Sequence, residues 1–295
     1  MLRNTEGIIL VTEGTNIVDS LGPAQLYTAV FHALLGHWNL FQGGLLHRNV
    51  SIGNVMIMPK EQSSTIMDFD ETKPLTLCQG MFIDFDQTIL WTCWKRKAAL
   101  RRSGTLPFVS IRLLTQWVFK NHSTPLHNIH TAIDDLESFI WVLIWAVAEC
   151  IKINKLEFSD DESRYIDDLC QEDVRSLVSR KKGIRYDYST GPKRHPSKGF
   201  APFGSLLHEL LGAARSASEA LDDLLIALSA SSNSDSQQTV DTSEADQDYN
   251  PCVSPDGRCN HSLPQEFTAL MEKTYQQFVA TFAKNQEPLK HTKWE

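Results

Sequence analysis

The 295-residue chain lacks the marks of several large protein classes. Its longest apolar run, Phe139 to Cys150, is too short to span a bilayer and suits a buried core helix. Its first residues, Met1-Leu2-Arg3-Asn4-Thr5-Glu6, carry no apolar segment of the signal-peptide kind. The cysteines (Cys78, Cys93, Cys150, Cys170, Cys252 and Cys259) are scattered without framework spacing, which argues against a disulfide scaffold and for a reducing cytoplasmic or nuclear setting. Cys252, Cys259 and His261 fit the spacing of no zinc module. An excess of positive charge is missing too. With 28 Lys and Arg against 36 Asp and Glu, the net charge of -8 disfavours nucleic acid as a general partner, because that affinity rests on cations neutralising phosphates. Neither a membrane nor a nucleic acid is expected as a partner, and no internal repeat is present.

What remains is an ordinary globular composition, 42% hydrophobic, long enough to bury a sizeable core. Residues 7–12 read as a short strand before a polar turn at Glu13 to Asn16. Pro23 then suits the first position of a helix, and Leu26, Val30, Leu34, Trp38 and Phe41 recur at helical spacing, which predicts an amphipathic helix over 23–41. Gly43-Gly44 stops it. Short apolar pieces follow: Leu45-Leu46, Val55 to Met58 and Met81 to Ile83, with an extended hairpin excursion at 59–79. The segment 133–150 is apolar on every face and is predicted to be the buried central helix. Further helices are expected near 161–180, 203–213, 216–229 and 264–284. Residues 230–263 are rich in Ser, Asp, Gln and Asn and read as a flexible segment that cannot bury enough apolar area to offset ordering. Acidic residues from Glu157 to Asp168 and basic ones from Lys95 to Arg102 read as solvated faces.

One octapeptide carries chemistry. His47-Arg48-Asn49-Val50-Ser51-Ile52-Gly53-Asn54 resembles the protein-kinase catalytic loop H-R-D-x-x-x-x-N, with Asn49 at the aspartate position. Downstream, Asp84-Phe85-Asp86 stands where D-F-G is found. Gly104-Thr105-Leu106-Pro107-Phe108 resembles the loop that receives a substrate peptide, and Asp134-Asp135-Leu136-Glu137-Ser138 opens the predicted central helix. The stretches LLHRNVSIGNVMI, RSGTLPFVSIRLL and DDLESFIWVLIW resemble the fungal-type protein kinases, over roughly residues 7–150.

That resemblance implies a mainly α, α+β fold: a protein-kinase-like C-terminal lobe with short β-hairpins and a buried central helix. Residues 1–22 would be a remnant of the last N-lobe strand and hinge, with Thr12, Glu13 and Gly14 near the adenine edge of ATP. Residues 23–229 would form the lobe, 230–263 the flexible segment, and 264–295 a C-terminal helix and tail. No G-x-G-x-x-G and no V-A-I-K-like stretch occurs, so the N-terminal lobe is expected to be essentially absent. By the same resemblance Asn54 and Asp84 would be Mg²⁺ ligands, and ATP and Mg²⁺ the cofactors. His47 is expected to pack the loop, and Asp135 to bond the catalytic-loop backbone. Asn49 alters the chemistry, since a carboxamide has nearly the shape of a carboxylate but is no base near neutral pH. Asp86 replaces the last glycine of D-F-G. Ser110-Ile111-Arg112 stands at the A-P-E position, so the usual buried Glu–Arg anchor is expected to be missing. The expectation is therefore an inactive kinase-like domain that acts as an interaction module, meeting a protein or peptide at Gly104 to Phe108. The alternative is an active Ser/Thr kinase that transfers the ATP γ-phosphate and is seen as a fragment.

Overall fold

The computed structural model describes residues 14–63, 77–92, 104–119, 129–192, 196–233, 264–290 and 292–294. Helix dominates, with small antiparallel sheets on one side, as expected of a mainly α, α+β domain. Helix α1 (Pro23–Gln42) begins with proline at its first turn and ends at Gly43. Strands β1 (Thr15–Asn16), β3 (Val55–Ser63) and β4 (Leu77–Phe82) form one sheet in the order β1-β3-β4, and β2 (Leu45–Leu46) pairs with β5 (Ile89–Leu90). The predicted strand at 7–12 and most of the segment 230–263 lie outside the described residues.

Helix α1 and the β3–β4 hairpin meet at a glycine. A Cβ on Gly80 would stand 2.1 Å from the carbonyl oxygen of Ala29, so only glycine lets the strand approach the helix backbone this closely. His32 of α1 fixes the same approach, its Nδ1 accepting the backbone N–H groups of Gln79 at 2.9 Å and Gly80 at 3.4 Å. Beyond this point β3 bulges. Ile57 faces Gly80, yet Gln62 faces Cys78, so five steps along β3 match two along β4.

Helix α3 (Ala132–Ile153) is the central pillar, as its all-round apolar pattern predicts: Leu136, Ile140, Trp141, Val142, Leu143, Ile144 and Val147 are all buried. At about 1.5–3 kcal/mol for each large apolar side chain removed from water, this segment alone anchors the core. Around it pack α4 (Tyr165–Leu169), α6 (Gly204–Asn233) and α7 (Gln265–Lys284), while α2 (Ile111–Phe119) packs against α5 (Val174–Asp187). Three local expectations change. The nine residues of α2 form a helix not foreseen in the sequence. The stretch 161–180 is broken after Leu169, where the Asp173 carboxylate caps α5 by accepting the Ser176 N–H at 2.8 Å. The two helices expected at 203–213 and 216–229 are one continuous α6, because Ala213, Ala214 and Ala217 carry the helix on past Gly212, and it runs past the boundary set at 229.

Helix α7 belongs to the same core. Phe282 stacks on Phe31 with centroids 5.2 Å apart, Tyr275 lies 4.6 Å from Trp38, and the Tyr27 hydroxyl donates to the carbonyl of Phe282. Among the described residues no helix is long and apolar enough to cross a membrane.

Candidate active site on the loops at the start of the central helix

The first two turns of α3 carry three buried carboxylates, Asp134, Asp135 and Glu137. A helix N-terminus favours negative charge there, and each carboxylate organises a different segment. Asp134 caps its own helix, accepting the backbone N–H of Thr131 at 2.8 Å. It also accepts the Ser110 hydroxyl at 2.6 Å and forms a buried ion pair with Arg112. Arg112 donates onward to the carbonyl of Ile129 at 2.7 Å. In place of the usual Glu–Arg anchor, expected to be missing at Ser110-Ile111-Arg112, stands a buried pair between Arg112 in the first turn of α2 and Asp134 in the first turn of α3. Burial by itself would raise the Asp134 pKa, but Arg112 holds it below the ordinary carboxylate value.

Glu137 accepts the backbone N–H of Ile111 at 2.8 Å and the Trp141 indole N–H at 3.0 Å. Lys181, reaching in from α5, donates to the Val109 carbonyl at 2.5 Å and lies 4.5 Å from the Trp141 ring centroid. Burial raises the Glu137 pKa and lowers that of Lys181. Together these groups tie the segment 104–111 to α3 and α5.

Asp135 serves the loop 47–54. Its Oδ2 accepts the backbone N–H of Arg48 at 2.9 Å and lies 2.9 Å from His37 Nε2, while its Oδ1 lies 2.7 Å from His130 Nε2. Asp135 therefore bonds the loop backbone, as expected from the helix-opening motif. The chain continues inward, since His37 Nδ1 lies 2.6 Å from the Tyr275 hydroxyl of α7. Burial opposes ionisation of Asp135, yet His130 and His37 hold its pKa far below the ordinary value. Arg48 needs this support because its φ of +70° is unusual for a side chain with a Cβ. His37 and Tyr275 were not singled out in the sequence, and no acidic partner was foreseen for His130. The available signal was a histidine at a core-facing position of α1, beside Leu34, Trp38 and Phe41.

His47 packs the loop from beneath. It is fully buried, 4.0 Å from the Phe82 ring centroid, with Nε2 3.1 Å from the Ile83 carbonyl and Nδ1 accepting the Asn49 N–H at 3.2 Å. Donation by one nitrogen and acceptance by the other require the neutral imidazole. Burial lowers its pKa, which favours the same form.

Asn49, Asn54 and Asp84 come together above this base. Asn54 donates to the Asn49 carbonyl at 2.7 Å, and its Nδ2 lies 3.4 Å from Asp84 Oδ2. Asn49 Nδ2 donates to the same Asp84 oxygen at 3.3 Å, while its Oδ1 accepts the Thr105 hydroxyl at 3.3 Å. Both polar atoms of the Asn49 amide are therefore engaged. Asp84, with φ of +64°, is exposed. Gly104, with φ of +105°, brings the 104–108 segment against the loop: a Cβ there would meet Val109 at 3.1 Å and the Arg48 carbonyl at 3.5 Å. Gly14 lies elsewhere, against the cross-strand pair Met56 and Met81. Thr12 and Glu13 lie outside the described residues.

Two loops from antiparallel strand pairs, clasped by an aspartate of the central helix and carrying an asparagine and an aspartate side by side, follow the plan of a protein-kinase catalytic loop. The profile of the fungal protein kinase family matches residues 2–147. Over that stretch the chain belongs to the fungal protein kinase family. A comparison with curated proteins finds no match. The kinase match includes Asn49, Asn54, Asp84, the 104–108 segment and the first turn of α3. It ends within α3, so Lys181 and Tyr275, which brace that machinery from α5 and α7, lie beyond it.

A kinase of this family would be expected to use ATP and Mg²⁺, and the local donor set can be tested for such an ion. Asn54 and Asp84 offer hard oxygen donors of the kind Mg²⁺ accepts alongside water and phosphate. With Asn54 Nδ2 spent on the Asn49 carbonyl, its Oδ1 is the atom left for a cation, so the pair fits. Among the described residues no group of three or more His, Cys, Asp or Glu is gathered into a metal site. A phosphate-bound ion with two protein ligands is consistent with that.

Proposed function

We propose that the chain is a kinase-like C-terminal lobe that binds partners and does not transfer phosphate. One observation carries this reading: the side chain at the catalytic-base position is the amide of Asn49, held between Asp84 and Thr105. In phosphoryl transfer of the kinase type, an aspartate there accepts the proton of the attacking hydroxyl and orients it. The Asn49 amide offers a donor towards Asp84, and its remaining oxygen already accepts from Thr105. It has no basicity near neutral pH. The hydroxyl of an incoming serine or threonine would meet a side chain that positions but takes no proton.

The segment Gly104 to Phe108 is the proposed place for a protein or peptide partner. Its support is proximity: Thr105 reaches Asn49 directly, and the buried Lys181, Glu137 and Arg112 contacts hold the following residues rigid. A rigid, pre-formed surface suits binding because little ordering entropy is lost on association.

A second reading is favoured by the Asn54 and Asp84 pair. If Mg²⁺ and ATP bind, these two residues would hold the ion, and the ion would supply charge neutralisation at the phosphates. The chain would then derive from an active Ser/Thr kinase weakened at Asn49. Incubating the purified chain with Mg²⁺-ATP and a mixture of Ser- and Thr-containing peptides separates the two. Transfer no greater than that of Asp84→Ala is the expected result. Robust transfer that Asp84→Ala abolishes would overturn the binding-only reading.

A further inference from the structure

Helices α5 and α6 enclose a cleft of about 190 Å³ on the part of the molecule beyond the kinase-family match. Lys182, Arg185 and Arg215 line it, with Tyr186 and His208, and among the described residues no carboxylate does. This is unusual in a chain whose net charge is -8. Arg215 is held by Glu219, one turn along α6, at 2.8 Å. No ion pair to Lys182 or Arg185 occurs among the described residues. His208 is oriented by its Nδ1, which lies 2.5 Å from the Tyr188 carbonyl. Tyr186 stands at the edge, 76% exposed.

A second feature is independent of charge. Gly212 lies in the interior of α6, where glycine costs about 1 kcal/mol relative to alanine. Apart from its own helix backbone, no atom of the described residues lies within 4 Å of where its Cβ would stand, so neither a turn nor close packing accounts for it. Gly212 lines the cleft, and its missing side chain keeps that space open.

We propose that this cleft is a binding site for a phosphoserine or phosphothreonine side chain of a partner protein. The chemistry follows from the lining. Two guanidinium groups and an ammonium line the cleft and can donate to phosphate oxygens, which arginine forks bind in bidentate fashion. The volume falls below the roughly 300–1,000 Å³ that encloses a drug-sized ligand, so a single anionic group fits where a whole nucleotide does not. The overall negative charge disfavours an extended polyanion such as a nucleic acid or an anionic bilayer, which would sense the field of the whole molecule. A single phosphate reads the local cations. Phosphate entering the cleft would draw Arg215 away from Glu219, an exchange between two surface partners that costs little.

The site lies apart from Asn49 and Asp84 in the chain and is tested without reference to phosphoryl transfer. A short fluorescent phosphoserine peptide is titrated into the full chain by polarisation, beside its unphosphorylated twin. Inorganic phosphate serves as competitor, and vesicles of phosphatidylcholine with phosphatidylserine form a separate arm. Saturable binding of the phosphorylated peptide alone, displaced by inorganic phosphate, is expected. Arg185→Gln and Lys182→Gln should each weaken it about tenfold, the loss of one charge-assisted hydrogen bond. Gly212→Leu, which adds a side chain where nothing crowds it, should block binding while leaving the circular dichroism spectrum and unfolding midpoint of the fold intact. Equal binding of both peptides, binding to vesicles in place of the peptide, no binding at all, or full binding by Gly212→Leu would each overturn the proposal.

Discussion

Replacing Asp135 with alanine removes the acceptor for three donors at once: the backbone N–H of Arg48 and the ring nitrogens of His37 and His130. His37 is fully buried, and the His130 side chain is only 10% exposed, so water cannot readily take the place of the carboxylate. A buried donor left unpaired costs about 1–3 kcal/mol, and the lost charge at the N-terminus of α3 costs up to about 1 kcal/mol more. Allowing for water reaching His130, Asp135→Ala should lose roughly 4–6 kcal/mol. Asp135→Asn should cost far less, about 1–2 kcal/mol. Its amide oxygen can keep the Arg48 and His37 donors, and its nitrogen can donate to the other tautomer of His130. Because the folded pKa of Asp135 is depressed, its charge contributes stability that is present above the ordinary carboxylate pKa of about 3.9 and lost as pH falls below it. Asp135→Asn should remove that part of the acid sensitivity. Urea unfolding, followed by tryptophan fluorescence at neutral pH and at pH values below about 4, measures all three quantities. If alanine cost under about 1.5 kcal/mol, or asparagine as much as alanine, the three-donor account of this carboxylate would be refuted.

Other consequences follow from single contacts. Gly80→Ala would place a methyl group 2.1 Å from the Ala29 carbonyl oxygen, and backbone on both sides cannot yield cheaply; a loss of about 3 kcal/mol or more is expected in urea unfolding. His32 must be neutral to accept two backbone N–H groups, and burial lowers its pKa from 6.5 to about 4. Its contribution is therefore complete above pH 6.5 and lost as pH falls towards 4, by roughly 2–3 kcal/mol; His32→Asn, whose oxygen can accept in place of Nδ1, should flatten the stability profile in that window. Asn49→Asp would set a carboxylate in place of the amide nitrogen that stands 3.3 Å from Asp84 Oδ2. This variant should melt lower than the wild type without Mg²⁺, by a few degrees per kcal/mol, and regain more than the wild type when Mg²⁺ is added.

Much of this fold could be read from residue patterns alone, and the reasons are local. The all-round apolar stripe of 133–150 identified the buried helix, and Pro23 with Gly43 bracketed α1. The polar octapeptide between short strands located the loop that carries Asn49 and Asn54. Long-range pairing was less legible. Arg112 and Asp134 are separated by a stretch whose pattern says nothing of their meeting, so the ion pair that stands in for the missing Glu–Arg anchor was not foreseen. Tyr275 and His37 lie 238 residues apart in the chain, and no periodicity announces a hydrogen bond between them. Helix α2 escaped notice because nine residues give little more than two turns for a pattern to repeat. The two helices expected at 203–213 and 216–229 are one, because Ala213, Ala214 and Ala217 propagate the helix through the gap between them.

The central claim is that the Asn49 amide, engaged by Asp84 and Thr105, removes the proton acceptor from a kinase-like site. The most direct measurement is phosphate transfer to Ser- and Thr-containing peptides under Mg²⁺-ATP, by the wild-type chain and Asn49→Asp side by side. A positioned general base contributes about 10²–10⁴-fold, so the account predicts wild-type transfer at background and a rise of about a hundredfold or more in Asn49→Asp. Wild-type transfer that equals that of Asn49→Asp and disappears in Asp84→Ala would contradict it.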